Sequence, residues 1–201
     1  MRLGIFGGTF DPIHIAHLIL AEQCREQGRL DEVRFVVAAH PPHKPQPATP
    51  FAQRVEMLAL AISGQPAFRV EEVERDRPGP SYTADTLEEL SQREPGAELV
   101  LIIGSDSLRD LPQWYQPLRI VQRVELLVVA RPEYPMPALA ELRAMLHLDE
   151  RMPLRLQVAE APLLPIASRD LRRRMREGRS VRYMIPRAVE AYIEDKGLYR
   201  A

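Results

Sequence analysis

The sequence has 201 residues, of which 45% are apolar and 27% charged, and its formal net charge is −1. This length and balance are typical of one folded domain with a substantial core. A charge near zero gives no general attraction to nucleic acid or to anionic membranes, so any basic site must be local. Because Cys24 is the single cysteine, an intramolecular disulfide and a cysteine metal cluster are excluded, which favours a reducing compartment and predicts a cytoplasmic protein.

Targeting and membrane segments are not expected. No apolar run approaches the roughly 20 residues needed to span a bilayer, and Gly7, Gly8, Asp11 and Pro12 interrupt any apolar signal core. We therefore predict an unprocessed chain with no membrane partner.

Short apolar runs alternate with longer segments of helical spacing, which is the pattern of an α/β fold on a parallel sheet. The spacing predicts strands over residues 3–6, 33–39, 68–73, 99–103, 126–130 and 154–158. It predicts helices over residues 15–27, 51–62, 83–93, 170–176 and 186–196, the last with Pro186 in its first turn and Gly197 at its end. Most strands lack the alternation of a one-sided sheet, so helices should cover both faces, whereas 68–73 alternates and belongs nearer an edge. We treat residues 1–201 as one domain whose 166–201 portion is a small helical part.

The tract HPPHKPQPATP, residues 40–50, is the one compositional oddity. Its prolines favour an extended, stiff loop without helix or ladder pairing. Such a loop is either a rigid surface connection or a ligand loop, since it follows a predicted strand of an open parallel sheet.

The opening stretch GIFGGTFDPIHIAH, residues 4–17, places Gly7 and Gly8 where the first strand must leave the sheet. Without Cβ atoms the backbone can turn sharply and let a phosphate approach its N–H groups. A helix that starts near Ile13 or His14 directs its positive end toward the same crevice. The stretch therefore predicts a triphosphate site, although it has neither the GxGxxG nor the GxxxxGK[ST] spacing.

His14 and His17 lie three residues apart, so on a helix they share one face and both can reach an anion at its start. The alternative is that one caps the helix and the other packs in the core. A zinc pair is not expected, because the HExxH spacing is absent and His40 and His43 would have to arrive from the proline tract.

These residues carry a resemblance. GGTFDPIHIAH resembles the [HT]xGH signature of the nucleotidyltransferase superfamily, and GIFGGTFDPIHIAHL is similar to the start of bacterial nicotinate mononucleotide adenylyltransferases. Ala16 stands where that family usually has glycine, and its methyl group implies slight crowding near the nucleotide. Four later segments agree in order and approximate spacing: PPHK at 41–44, SYTADTL at 81–87, GSDSL followed by Trp114 at 104–114, and IASRDLR at 166–172. The resemblance covers nearly the whole chain and implies a Rossmann-like, doubly wound, mainly parallel sheet.

The resemblance implies an ATP site built from three segments. Its members are Gly7, Gly8, Thr9, Phe10, His14, His17, Gly104, Asp106, Ile166, Ser168 and Arg172. Asp106 either accepts a hydrogen bond from a ribose hydroxyl or caps the next helix. Arg169 stands where the family usually has threonine, which puts a charge in place of a hydroxyl, and the surrounding arginine run is otherwise a solvated helix face.

The same resemblance implies a nicotinate mononucleotide site at Lys44, Tyr82, Thr83 and Trp114. Lys44 is either a phosphate ligand on the stiff tract or a solvated surface lysine. Backbone donors at Tyr82 and Thr83 would meet the nicotinate carboxylate, although Thr83 is also a candidate helix cap. Trp114 either stacks on the pyridine ring or packs in the core.

The implied reaction joins nicotinate mononucleotide to the AMP part of ATP and releases pyrophosphate, with Mg²⁺ bound mainly through ATP phosphates and water. The attacking phosphate oxygen is already ionised, so positioning and charge stabilisation by His14, His17 and Arg172 suffice. Alternatives are an adenylyltransferase for nicotinamide mononucleotide or phosphopantetheine, a non-catalytic nucleotide-binding regulator, and an RNA-binding module on the arginine run. The near-neutral charge and the histidine pair count against the last two. The sequence leaves open a homo-oligomer and the role of Asp11.

Overall fold

The computed structural model describes residues 1–42, 46–131 and 133–200. Its strands are β1 (Arg2–Gly8), β2 (Glu32–Val37), β3 (Phe68–Glu71), β4 (Glu98–Gly104), β5 (Glu125–Val129) and β6 (Leu156–Ala159). Its helices are α1 (Ile15–Gln27), α2 (Phe51–Ile62), α3 (Thr83–Arg93), α4 (Ser105–Asp110), α5 (Pro117–Arg123), α6 (Leu139–Met145), α7 (Ser168–Arg176) and α8 (Arg187–Lys196), with a 3₁₀ turn at Leu111–Gln113.

The strands form one sheet in the order β3-β2-β1-β4-β5-β6, and every neighbouring pair is parallel. This is the order of a doubly wound sheet, in which the chain reverses its direction of growth between β1 and β4. The predicted α/β class and the Rossmann-like architecture are therefore confirmed. The alternating segment that begins at Phe68 is an edge strand, as expected.

Helices cover both faces of the sheet. Along β4 successive side chains point to opposite sides, so Val100 and Ile102 join one core while Leu101 and Ile103 join the other. The first core packs against α1, α2, α7 and α8, and the second against α3, α4, α5 and α6. The arrangement explains why the strands read as continuous apolar runs.

Several boundaries were predicted from local patterns and are confirmed: α1, α2 and α3 have the expected bounds. Pro186 is the residue before α8 instead of its first residue, and Gly197 ends that helix in the left-handed conformation at φ 63°. Sequence patterns did not predict α6, a seven-residue helix with Leu142 as its one buried residue. Within the described residues, no helix is long and apolar enough to cross a membrane.

Candidate active site

The carboxyl ends of β1 and β4 enclose a crevice. Their pairing runs from Arg2 and Glu98 to Ile5 and Leu101, whereas β1 continues beside β2 as far as Gly8. The two central strands thus part over their last residues, at the point where a doubly wound sheet binds its ligand.

The glycine turn at the end of β1 combines an open position with a packed one. A Cβ on Gly7 would meet nothing within 4 Å, whereas a Cβ on Gly8 would lie 2.8 Å from the ring of Phe10. The Phe10 ring is buried and its backbone has a positive φ of 48°. Phe10 therefore offers a ligand only its backbone, and Gly7 is the residue whose missing side chain leaves space for a phosphate.

His14 and His17 lie together at the start of α1. Their rings stack with centroids 3.6 Å apart, and His14 is the residue immediately before the helix. The backbone N–H of His14 donates to His17 Nδ1 at 3.3 Å, so Nε2 of His17 is the nitrogen that carries the proton. The predicted shared helix face is wrong, because His14 precedes α1 in an extended conformation and pairs with His17 as a capping box. The rings are nevertheless adjacent, and His17 packs edge-on against Phe10 at 5.3 Å between ring centroids, so the alternative of one capping and one packing histidine describes the free protein.

Burial keeps His14 neutral. The side chain is 4% exposed, its Nδ1 has no hydrogen-bond partner, and burial lowers its pKa to about 4. An unpartnered, buried ring nitrogen at a helix start costs stability in the free protein. The ring faces the backbone N–H of His17 in the arrangement of a capping box, so a donor lies close to it.

Asp11 is a buried junction between three segments. Its Oδ1 accepts a hydrogen bond from the Tyr199 hydroxyl at 2.6 Å, and its Oδ2 accepts one from the backbone N–H of Ala48 at 2.7 Å. The side chain is 2% exposed. The sequence left the role of Asp11 open, and the structure makes it the anchor that ties the proline tract and the residues after α8 to the glycine turn.

The first turns of α7 contact the same loop. Arg172 Nη1 donates to the backbone carbonyl of Asp11 at 2.6 Å and lies 4.0 Å from its Oδ2. The Ser168 hydroxyl donates to the carbonyl of Pro12 at 2.9 Å. The two motifs singled out in the sequence, 156 to 161 residues apart, are therefore in direct contact.

The remaining predicted residues of this segment flank α7. Ile166 is half-buried and packs against the first core, while Arg169 is exposed in the first turn of the helix. Ile166 therefore provides apolar surface, and Arg169 provides an exposed positive charge beside the contact between α7 and the loop.

Asp106 lies on the β4 side of the crevice. Its Oδ2 accepts a hydrogen bond from Arg131 Nη1 at 3.3 Å, and its Oδ1 is buried without a partner. The alternative of a helix cap is wrong, because Gly104 is the residue that precedes α4 and Asp106 lies in its first turn. The unpartnered oxygen is an available acceptor for a hydroxyl donor.

A buried arginine, Arg54, donates hydrogen bonds to backbone carbonyls at the glycine turn. Arg54 is 1% exposed and donates from Nη1 to the carbonyls of Thr9 and Ala38, both at 2.8 Å, and from Nε to the carbonyl of Thr49 at 3.1 Å. Burial lowers the pKa of its guanidinium, and the nearby Asp11 carboxylate opposes that shift. Arg54 joins the ends of β1 and β2 to the start of α2.

The proline tract is attached at its start to the loop before α3. His40 and Ser81 are joined twice, by His40 N–H to Ser81 Oγ at 3.0 Å and by Ser81 N–H to the His40 carbonyl at 2.9 Å. Pro41 and Pro42 line a cavity there together with Pro80. Lys44, which was predicted to bind a phosphate, lies outside the described residues.

Tyr82 and Thr83 stand at the start of α3. The sequence suggested Thr83 as the residue that caps this helix, and the structure differs. Tyr82, not Thr83, is the residue that precedes the helix, and its N–H donates to the Pro80 carbonyl at 3.1 Å. Thr83 is the first helical residue, whose amide has no carbonyl of the helix to bond. Of the two backbone donors, Thr83 is the better placed for a carboxylate.

Two aromatic residues follow the 3₁₀ turn. Trp114 is half-buried and packs against the second core. Tyr115 is 42% exposed and stacks on Tyr82 with ring centroids 4.2 Å apart. An aromatic pair therefore lies beside the start of α3, and the predicted stacking of Trp114 on a ligand ring stays a prediction.

Sequence reasoning did not find Arg54, Tyr115 and Tyr199. Arg54 interrupts the apolar face of a predicted helix, and Tyr115 directly follows a tryptophan that was singled out, so both had a local signal. Tyr199 had none, because its partner lies 188 residues away in the chain.

Comparisons with known proteins show which family the chain belongs to. The cytidylyltransferase-like family profile matches residues 5–174. A Thermus thermophilus protein named "probable nicotinate-nucleotide adenylyltransferase" is 48% identical over 200 residues, which cover 100% of both chains. A Thermomicrobium roseum protein of the same name is 46% identical over 200 residues, covering 99% of this chain and 92% of the relative.

A solved structure supports the fold assignment. Plasmodium falciparum nicotinic acid mononucleotide adenylyltransferase, complexed with NaAD, superposes with a TM-score of 0.79 over 98% of this chain and 97% of that chain, at 20% identity. At this identity the likeness concerns the fold. Together with the full-length relatives, it shows that the chain belongs to the cytidylyltransferase-like family and, within it, to the nicotinate-nucleotide adenylyltransferases.

Proposed function

We propose that the crevice between β1 and β4 transfers the adenylyl group of ATP to nicotinate mononucleotide, which yields nicotinate adenine dinucleotide and pyrophosphate for NAD biosynthesis. The observation that carries this proposal is the contact between the opening stretch, residues 4–17, and the segment IASRDLR, residues 166–172. Arg172 and Ser168 bond to the loop that leads directly into the stacked His14 and His17. Donors and positive charge thus converge on the crevice from α1 and α7.

In the proposed reaction a phosphate oxygen of the mononucleotide attacks the α-phosphorus of ATP. A new P–O bond forms, the bond from the α-phosphorus to the bridging oxygen breaks, and its electron pair leaves with pyrophosphate. Since the nucleophile is already an anion, the chain's task is to align it and to stabilise the charge on the leaving group. His17 Nε2 and the Arg172 guanidinium donate to the triphosphate, and Gly7 leaves space for it. An anion beside His14 would raise the pKa of its ring from about 4.

The adenosine and acceptor ends of the site follow the remaining predictions. The unpartnered Asp106 Oδ1 accepts from a ribose hydroxyl. The amide of Thr83 donates to the nicotinate carboxylate, and the aromatic group at Trp114 provides a surface for the pyridine ring. Lys44, which lies outside the described residues, is proposed from the sequence motif as the ligand of the mononucleotide phosphate.

We propose that Mg²⁺ arrives with ATP. Within the described parts of the chain, no group of three or more His, Cys, Asp or Glu side chains is placed to hold a metal ion. Both carboxylate oxygens of Asp11 already accept hydrogen bonds. This donor set fits an ion that keeps phosphates and water as its ligands, and when bound such an ion neutralises charge on the triphosphate.

The acceptor is tested by pyrophosphate release from Mg·ATP with nicotinate mononucleotide, nicotinamide mononucleotide and phosphopantetheine in parallel. Turnover with the nicotinate compound at a kcat/KM well above that of the amide supports the proposal. Equal or greater turnover with another acceptor would reassign the substrate, and ATP binding without turnover on any of them would favour a regulator.

The role of His17 is tested by His17→Ala, with the exposed His147→Ala as the control variant. Loss of a donor to the leaving group is expected to lower kcat about 10²- to 10³-fold. Because His17→Ala also removes the acceptor of the His14 N–H and the packing on Phe10, kcat is compared at a temperature where circular dichroism shows both variants folded. Unchanged pyrophosphate release by His17→Ala would remove His17 from the mechanism.

A further inference from the structure

Tyr199 is far from the motifs in sequence but touches their junction. It follows α8, is half-buried and packs against the first core. Its hydroxyl donates to Asp11 Oδ1 at 2.6 Å, a distance typical of a strong bond to a carboxylate. Burial and the bond to Asp11 both raise the pKa of Tyr199, so the hydroxyl keeps its proton and remains a donor.

The bond matters because of what else Asp11 holds. Its backbone carbonyl accepts from Arg172 Nη1 at 2.6 Å, while its Oδ2 accepts from Ala48 and lies 4.0 Å from that same Arg172 nitrogen. With Tyr199 on one oxygen and Ala48 on the other, the carboxylate is fixed in one orientation. Arg172 is then held through the carbonyl, and its ion pair with the carboxylate stays long, at 4.0 Å.

Removal of the hydroxyl would change this balance. A 2%-exposed carboxylate that loses one of its two donors must find another partner. Of the two cations near Asp11, Arg54 is bonded to three backbone carbonyls through Nε and Nη1. Arg172 Nη1 lies 4.0 Å from Oδ2 and is the one that can move closer. A closer Asp11–Arg172 pair would withdraw the guanidinium from the triphosphate and shift the end of the proline tract bound at Ala48.

We propose that Tyr199 is a positioning residue for adenylyl transfer, which acts through Asp11 to keep Arg172 available to the phosphates of ATP. The proposal rests on the proposed function, since it takes Arg172 to bind the triphosphate.

The chain provides a matched control. Tyr192 also donates its hydroxyl to a carboxylate, Glu56 Oε2 at 2.7 Å, but this pair joins α8 to α2 at an exposed position. Tyr199→Phe and Tyr192→Phe each remove one hydroxyl and one hydrogen bond to a carboxylate, of similar length. Tyr199→Phe also removes the contacts of the hydroxyl with Thr49 and with Met57 Sδ. Only Tyr199→Phe removes a donor to Asp11, in the loop between β1 and α1.

The experiment measures kcat and KM for Mg·ATP in both variants, at a temperature where circular dichroism shows every variant folded. Tyr199→Phe is expected to lower kcat/KM for Mg·ATP about tenfold, the effect of one hydrogen bond to a charged group, mainly through KM. Tyr192→Phe is expected to stay within about twofold of the unmodified protein, as is usual for exposed pairs. A lower melting temperature for Tyr199→Phe with unchanged kcat and KM would make Tyr199 purely structural and overturn the proposal.

A double-mutant cycle with Arg172→Gln tests the role of Tyr199 separately from the proposed function on which it rests. If Tyr199 acts through Arg172, then Tyr199→Phe has no further effect on kcat/KM in the Arg172→Gln protein, and additive losses would overturn the inference. If Arg172→Gln alone leaves activity unchanged, the proposed triphosphate site is wrong. If it lowers activity while Tyr199→Phe does not, only the role of Tyr199 fails.

Discussion

The burial of His14 predicts a measurable pH dependence of stability. Its pKa is about 4 in the folded protein against an ordinary value of 6.5. Between these values the unfolded chain binds a proton that the folded chain does not, so acidification favours unfolding. With 1.36 kcal/mol for each unit of pKa difference, lowering the pH from 7 to 4.5 should cost roughly 2 kcal/mol of unfolding free energy through this one residue.

The assay is urea unfolding at pH 7 and pH 4.5, with His14→Asn as the comparison. Asparagine does not titrate and is a favourable residue at the position before a helix, so the variant removes the ionisation while keeping the start of α1. The unmodified protein should lose roughly 2 kcal/mol more than His14→Asn between the two pH values. Equal losses in the two proteins would refute the claim that His14 is buried and neutral in the free site.

Three further predictions concern the glycine turn, the buried Arg54 and the buried Cys24. Gly8→Ala should lower the melting temperature because its Cβ would meet a buried ring at 2.8 Å, while Gly7→Ala should fold normally and bind ATP more weakly, as a nucleotide titration would show. Arg54→Met should cost more than about 2 kcal/mol in urea unfolding because three carbonyls lose their donor, whereas the exposed Arg75→Met should change it by less than about 0.5 kcal/mol. Cys24, buried and with a pKa raised to about 12, should react with a thiol reagent at pH 8 only after denaturant is added.

The sheet and the main helices were predictable because their signals are local. Continuous apolar runs such as β4 indicated strands covered on both faces, and helical spacing gave α1, α2 and α3 their bounds. The short α6, with a single buried Leu142, has too little amphipathic pattern to stand out. Edges moved by one or two residues where the backbone, not the side chain, decides the boundary, as at Pro186.

The site was predictable only as far as its motifs were. The spacing of His14 and His17 indicated that the two rings lie close together, and they stack, although His14 lies just before α1 and not on its face. The hydrogen bonds of Asp11 could not be predicted from the sequence. Its partners Ala48, Arg172 and Tyr199 come from three distant segments that only the folded chain brings together. Hydrogen bonds between residues so far apart in the chain produce no periodic pattern in the sequence.

Isotope labelling of ATP tests most directly which bond the site breaks. The protein is incubated with Mg²⁺, nicotinate mononucleotide and ATP carrying ³²P at either the α or the γ position, and the products are separated. Adenylyl transfer places the α label in nicotinate adenine dinucleotide and the γ label in pyrophosphate, in equal amounts. Appearance of the γ label in the mononucleotide, or no transfer of the α label, would contradict the account.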